Sequence, residues 1–286
     1  MNIRRNVMAV CAAFAAMILL LAVSVSVGAV TIAPSELLPG LFDADSSSYF
    51  IIHEIRLPRA VVGILAGFGL AVSGVILQSL VRNPLASPDV IGITKGAGFL
   101  AAAVIYLFPK APGYVLPIAA FAGAVLAFLL LIAFTRRLTL TPSAVALVGV
   151  AIGAVFSAGI EYLIVKNPAN INMALLWLAG SLWSRGWTQA AYLLPAIAVL
   201  LPIAYGSYAR MNVLQLGEDS GISLGVSMRQ SRFWLFLLAV TLAGSAVSAV
   251  GAIGFIGLLA PHIARSIVGG RHQWLFPSRA KFLWAS

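Results

Sequence analysis

The run FWLFLLAVTLAGSAVSAVGAIGFIGLLAPHIA, Phe233–Ala264, carries no Asp, Glu, Lys or Arg across 32 residues. A bilayer core takes ~20 helical residues to cross, so the run is too long for one helix and tight for two. Its flanks decide between them. Arg229 and Arg232 precede it, and Arg265 and Arg271 follow it. Short loops rich in Arg and Lys stay in the cytosol, so both ends of the run belong on that side. An even number of crossings results. We expect a tight hairpin of helices near Arg229–Val247 and Gly251–Val268, turning among Ser248–Gly251.

The rest of the chain reads the same way. Further apolar windows cover Val7–Val30, Ala60–Val81, Val90–Phe108, Ala111–Thr135, Ser143–Val165 and Gly186–Ala209, free of charge except for Lys95 in the third and Glu161 in the fifth. The first follows Arg4 and Arg5 and exceeds the ~7–15 residues of a secretory signal core, so it reads as a transmembrane helix. With both termini cytosolic, the inner segments collect Arg82, Lys95, Arg136, Arg137, Arg210, Arg229 and Arg232. The outer side holds Arg56, Arg59, Lys110, Lys166 and Arg185. The expected fold is all-α: one polytopic transmembrane domain over 1–286, with eight spans.

Composition agrees. Of 286 residues 61% are hydrophobic and 9% charged, too few polar groups to cover a soluble globule. The net charge of +10 is scattered singly between apolar runs, which argues topology and excludes nucleic acid as partner. Cys11 is alone, so no intrachain disulfide or cysteine metal site is possible. Two segments are expected outside. Thr31–Ile55 is acidic, with Glu36, Asp43, Asp45 and Glu54. Asn167–Ser184 reads as a loop with an interfacial helix, its Trp177 and Trp183 at headgroup level.

Searches for catalysis come back empty. No phosphate loop is present; the nearest string, Gly92-Ile-Thr-Lys-Gly-Ala, lacks the spacing. His53 falls outside while His262 and His272 fall inside, so they cannot share a site. No cofactor or metal is called for, and an enzyme is not indicated. Small-residue stripes are frequent: Gly63-x-x-x-Gly67, Gly149-x-x-x-Gly153 and Gly251-x-x-Gly254-x-x-Gly257 suit close helix packing in lipid.

The run from Arg56 to Pro88 is more specific. It holds Arg-Leu-Pro-Arg59, then Gly67-Phe-Gly-Leu-Ala-Val-Ser-Gly-Val-Ile-Leu-Gln78, then Arg82-Asn-Pro-Leu-Ala-Ser-Pro88. Pro58 suits a first helical turn, and Asn83-Pro84 suits an exit. Gln78 is a polar group in an apolar helix, fit either for interhelical bonding or for lining a pathway.

This run resembles the signature of the FecCD family of ABC importer permeases. So do Trp177-Leu-Ala-Gly-Ser181, Leu214-Gln-Leu-Gly-Glu-Asp-Ser-Gly-Ile-Ser-Leu-Gly225 and Gly251-Ala-Ile-Gly-Phe-Ile-Gly-Leu-Leu-Ala-Pro-His-Ile-Ala-Arg265. The resemblance implies a ten-helix permease of the cytoplasmic membrane that moves iron-siderophore, haem or cobalamin chelates by alternating access. It implies three partners: a second permease subunit, an ABC ATPase that carries the hydrolysis, and an extracytoplasmic substrate-binding protein. Arg56 and Arg59 are the expected docking arginines, with headgroup anchoring as the alternative. Leu216–Met228 is the expected ATPase-coupling segment, with Leu216, Gly217, Glu218, Asp219, Gly221, Leu224 and Gly225 as its residues. The acids suit a helix N-terminus and Gly225 a cap. Gly221, where the family often has alanine, loosens the helix by ~1 kcal/mol. Gln78, Asn83, Pro84, Pro261, His262 and Arg265 are candidates for pathway or packing.

The resemblance holds to Pro277. Residues 278–286 depart from the pattern and read as an aberrant tail in place of two expected helices, which leaves a non-transporting remnant as one rival. A secondary transporter is the other. Such a protein usually shows an ionisable residue at mid-membrane, and only Glu161 comes close by sequence, near an external helix end.

Overall fold

The computed structural model of the chain describes residues 3–28, 30–135, 142–166, 171–216 and 227–268. Among them lie eleven α-helices and no strand: α1 Ile3–Ser26, α2 Pro34–Phe42, α3 Leu57–Val81, α4 Ile93–Leu107, α5 Val115–Thr135, α6 Pro142–Lys166, α7 Ile171–Ala179, α8 Trp187–Gly206, α9 Tyr208–Leu216, α10 Met228–Val250 and α11 Ile256–Val268. A wide π turn, Ile51–Arg56, leads into α3. Pro58 explains it: lacking an N–H, it cannot serve the Glu54 carbonyl, and the Leu57 N–H bonds back to Ile52 O instead.

Six helices have the length and apolar character to cross a membrane: α1 from Met8, α3 with its π turn, α5, α6, α8 and α10. The eight expected windows are therefore six full spans and two short helices. At 15 and 13 residues, α4 and α11 reach about 22 and 20 Å, short of a ~30 Å core. Each is preceded by irregular backbone. Before α4 the chain runs through Pro84 and Pro88 to Gly92, at φ 87°; before α11 it runs from Gly251, at φ 81°, to Phe255, at φ 66°. Proline removes donors and a left-handed residue breaks the ladder, so helix begins late in both windows.

These irregular segments lie at membrane depth. A Cβ on Gly92 would sit 3.0 Å from the Gly149 oxygen and 3.1 Å from the Gly153 nitrogen. Those positions fall about 10–17 Å along α6, near its middle. Lys95 is thus beside the centre of a span, not in a cytosolic loop as charge counting expects. Lys95 Cγ would lie 3.9 Å from a Cβ on Gly153.

α10 is the axle of the bundle, packing on α3, α5, α8 and α4. Its most apolar window is 78% buried, against 6% for α1, which rides on the periphery. α3 and α10 run antiparallel: Gly69 faces Leu242 and Ala246, and Ser73 Oγ donates to Ala239 O at 2.7 Å. Backbones come closest where glycine meets glycine, Gly96 with Gly123 and Gly74 with Gly257. The Gly63-x-x-x-Gly67 stripe does not make such a crossing. Gly63 meets only the Leu182 side chain, and Gly67 meets nothing within 4 Å.

α7 also departs from expectation. Trp183 is 73% exposed, as an interfacial tryptophan should be, but Trp177 is 6% exposed and sits in the core. Its carbonyl accepts from Gly180 N and Ala252 N, and Ser181 N donates to Val250 O at 2.8 Å. The Trp177–Ser181 motif is therefore pinned to the Gly251–Gly254 turn. Buried backbone groups of an irregular segment need such partners.

Candidate functional site

At the outer end, as charge bias orients it, Arg56 is buried rather than presented. Nη1 donates to Val25 O and, at 2.9 Å, to Ser26 O; Nη2 donates to Val30 O. The guanidinium lies on Gly28, where a Cβ would meet Nη2 at 2.7 Å. A planar fork can serve several carbonyls at a helix C-terminus, which also attracts positive charge. Arg56 thus clamps the end of α1. Arg56→Ala should cost about 2–3 kcal/mol locally, because it strands those acceptors. Hydrogen exchange at the Val27 and Ile32 amides should quicken by about thirtyfold. Unchanged exchange would mean the clamp carries no weight.

Arg59 is half-buried, and its Nε lacks a partner among the described residues. The 182–187 loop packs over this end of α3. Leu182 lies against Gly63, and Trp187 Nε1 donates to His53 O at 2.9 Å. That loop brings Arg185, whose Nε donates to Ser181 O at 3.2 Å. Burial pushes the Arg185 guanidinium below its ordinary value, and the Tyr192 phenol acts the other way.

The α3–α11 crossing gathers three of the residues expected in pathway or packing roles. Pro261 has no N–H for the Gly257 carbonyl. α3 meets that part of α11 with Gly74 against Gly257 and with Gln78, whose Nε2 donates to Leu258 O at 3.4 Å. Gln78 Oε1 in turn accepts from Arg265 Nη1. His262 is exposed and outside this set, as are Asn83 and Pro84. Asn83 Oδ1 accepts from Leu85 N at 2.9 Å, a turn-closing bond.

At the inner end, Arg82 has φ 51° and donates twice to Leu214 O, at 3.1 and 2.8 Å. This ties the exit of α3 to the end of α9. Gly217, Glu218, Asp219, Gly221, Leu224 and Gly225 lie outside the described residues. Leu216 closes α9 and Met228, buried, opens α10.

Both irregular segments meet a third element, α6, at a cavity of about 240 Å³. Asp89, Thr94 and Lys95 line it from the α4 entry, Ser157 and Glu161 from α6, and Ala252 from the turn before α11. The two segments also touch: Gly254 lies 3.2 Å, from a built Cβ, to Asp89 Oδ2, and Gly257 approaches Pro88. Sequence reasoning passed over Asp89 and placed Lys95 in a cytosolic segment. The available signal was a pair of short, Pro- or Gly-interrupted apolar segments, which in transporters points to the site.

A multi-pass helical bundle, with two interrupted helices converging on one charged cavity and no catalytic constellation among its described residues, has the build of a membrane transport subunit. Residues 16–282 match the FecCD transport family, and the chain belongs to it. It is 46% identical to the Fe(3+)-citrate import system permease protein YfmE of Bacillus subtilis over 277 residues, covering 97% of this chain and 83% of that one. It is 39% identical to the Fe(3+) dicitrate transport system permease protein FecD of Escherichia coli over 239 residues, covering 84% and 74%. Among solved structures, a protein described as a metal-chelate-type ABC transporter in an inward-facing conformation superposes with a TM-score of 0.84 at 26% identity, covering 94% of this chain and 84% of that one.

Proposed function

We propose that this chain is the permease subunit of an ABC importer for ferric chelates, with iron-citrate-type complexes as its first candidate cargo. The observation that carries the cargo reading is the 46% identity to an iron-citrate permease along nearly the whole chain. In this reading a second permease copy or paralogue completes the passage, and hydrolysis resides on a separate ATPase subunit that engages Leu216–Met228. Both termini face the cytosol, by the bias of Arg and Lys. Ionisable groups at membrane depth also occur in ion-coupled secondary transporters, but family membership favours the ATP-driven class.

The test is uptake of radiolabelled ferric citrate by cells lacking their own permease, with the ATPase and binding protein supplied. ATP-dependent uptake supports the reading. Uptake that persists without the ATPase, driven by ion gradient alone, would replace it with the secondary-transport class.

Docking of the binding protein rests on Arg59, with Arg185 on the same end of the bundle. Opposite charges across such a contact chiefly set the association rate. Arg59→Glu should slow association by about tenfold at low salt and flatten its salt dependence. Stopped-flow association with the permease in nanodiscs would measure this. An unchanged rate would leave Arg59 as an interfacial anchor.

A further inference from the structure

The cavity between α4, α6 and the turn before α11 contains three ionisable side chains, Asp89, Lys95 and Glu161. None of these three side chains forms an ion pair or hydrogen bond with another described residue. Lys95 is exposed although it sits at the level of Gly153, the middle of a membrane span. An unpaired ammonium facing lipid there would be costly, so this face must border water or a polar ligand. The backbone is consistent with this: Pro84–Gly92 and Gly251–Phe255 are not helical, and such backbone survives at this depth only against protein, as beside Trp177, or along a wet passage. The neighbouring surface of α6 fits too. Its exposed positions Ala151, Ala154 and Ala158 lead to Glu161, a strip of small side chains that leaves room beside the cavity.

We propose that Lys95 is the cation that receives the cargo in mid-passage, its ammonium taking the anionic carboxylate oxygens of a ferric chelate. The inference rests on the ferric-chelate reading above. An ammonium offers three donors on a flexible stem, so it can follow a ligand that moves past it. Asp89 and Glu161 compete with the cargo for the same ammonium. This keeps the hold weak enough for release, the condition any conducting site must meet.

Charge restoration on the folded protein tests this. In a Cys11→Ser background, Lys95→Cys should lower ferric citrate uptake by the complete transporter in proteoliposomes by about tenfold, the weight of one charge-assisted contact. Aminoethyl thiosulfonate, which restores an ammonium, should bring uptake back near the parent level. The sulfonatoethyl reagent should not. Rescue by neither reagent, by both alike, or an undiminished Lys95→Cys would each overturn the assignment. A gate closed by an ion pair would also respond to charge at this position, and a second variant separates the two. Asp89→Asn with Glu161→Gln should lower KM for the chelate, because competition for Lys95 is gone; loss of uptake would mean a gate instead. If the parent imports no ferric citrate, only the cargo reading falls. The Lys95 assignment is then decided by labelling the Lys95→Cys variant: a thiol reached by water-borne thiosulfonates supports it, and one reached from neither face overturns it.

Discussion

Gly74→Ala is expected to destroy the fold, although it adds a single methyl group. A Cβ at Gly74 would lie 1.9 Å from the Gly257 carbonyl oxygen and 2.9 Å from its Cα. Both obstacles are backbone, so no side-chain rotation relieves them. Gly257 cannot retreat easily, because Pro88 packs on its other side, 2.7 Å from a built Cβ. Helices α3 and α11 would have to separate, and with them would go the Gln78 contacts to Leu258 and Arg265. Overpacking a rigid core costs about 1–3 kcal/mol, and a backbone-on-backbone clash exceeds the upper end. Lipid offers no hydrophobic drive to hold such helices together once close contact is lost. The control is Gly67→Ala on the same helix, where nothing lies within 4 Å. In detergent, the Gly74 variant should aggregate or run as a broad peak on size exclusion, while the Gly67 variant stays monodisperse. Equal behaviour of the two would mean the α3–α11 crossing can open without cost.

The sequence pattern ranks these two glycines the wrong way round, and this marks where reading from residues runs out. Gly67 belongs to a small-residue stripe that suggests a crossing, yet it faces open space, whereas Gly74 falls outside every such stripe. Which face of an apolar helix meets a neighbour is set by the bundle, since lipid and protein interior are equally apolar. Span existence is different. α1, α3, α5, α6, α8 and α10 were each legible as an apolar window, with Glu161 in α6 the one charge among them, because keeping charges out of hydrocarbon is a property of the local sequence. The hairpin through Phe233–Ala264 was legible only in part: helix continues through Ser248 to Val250, the break is Gly251–Phe255, and α11 is too short to cross by itself. Helix onset in α4 and α11 was not legible: extended apolar backbone has the hydropathy of helical apolar backbone.

The same limit hid the charged cavity. Charge counting assumes that each Lys or Arg lies outside the bilayer, so Lys95 was assigned to the cytosol and its neighbour Asp89 was given no role. Arg56 illustrates the converse. Its place just before the helix of Pro58 was readable, but its engagement with Val25, Ser26 and Val30 was not, since those carbonyls are free only because α1 ends there. Trp177 likewise carried the composition of an interfacial residue and is held in the core by the Gly251 turn.

Reversing Glu218 and Asp219 together to Lys is expected to uncouple ATP hydrolysis from uptake. The described residues on either side of them are fixed. Met211 and Leu214 are buried at the close of α9, and Arg82 holds the Leu214 carbonyl with two bonds. At the other end Met228 is buried and is the first residue of α10. A push on Leu216–Met228 would therefore act on α10, the helix that packs against α3, α5, α8 and α4 and that ends at the Gly251 turn. That turn supplies Ala252 to the charged cavity. A rigid, buried element running from the proposed coupling segment to the proposed passage is the physical requirement for transmitting a stroke. Two acids turned basic reverse the charge presented to the ATPase, and like charges across a contact exclude a partner. Uptake should fall at least about tenfold, the equivalent of ~1.4 kcal/mol in the ATPase contact, while association with the binding protein stays at the parent rate. Arg82→Ala should lower uptake less, because it loosens one anchor and leaves the segment's own surface intact. Full uptake with both acids reversed would mean that the stroke enters the permease elsewhere.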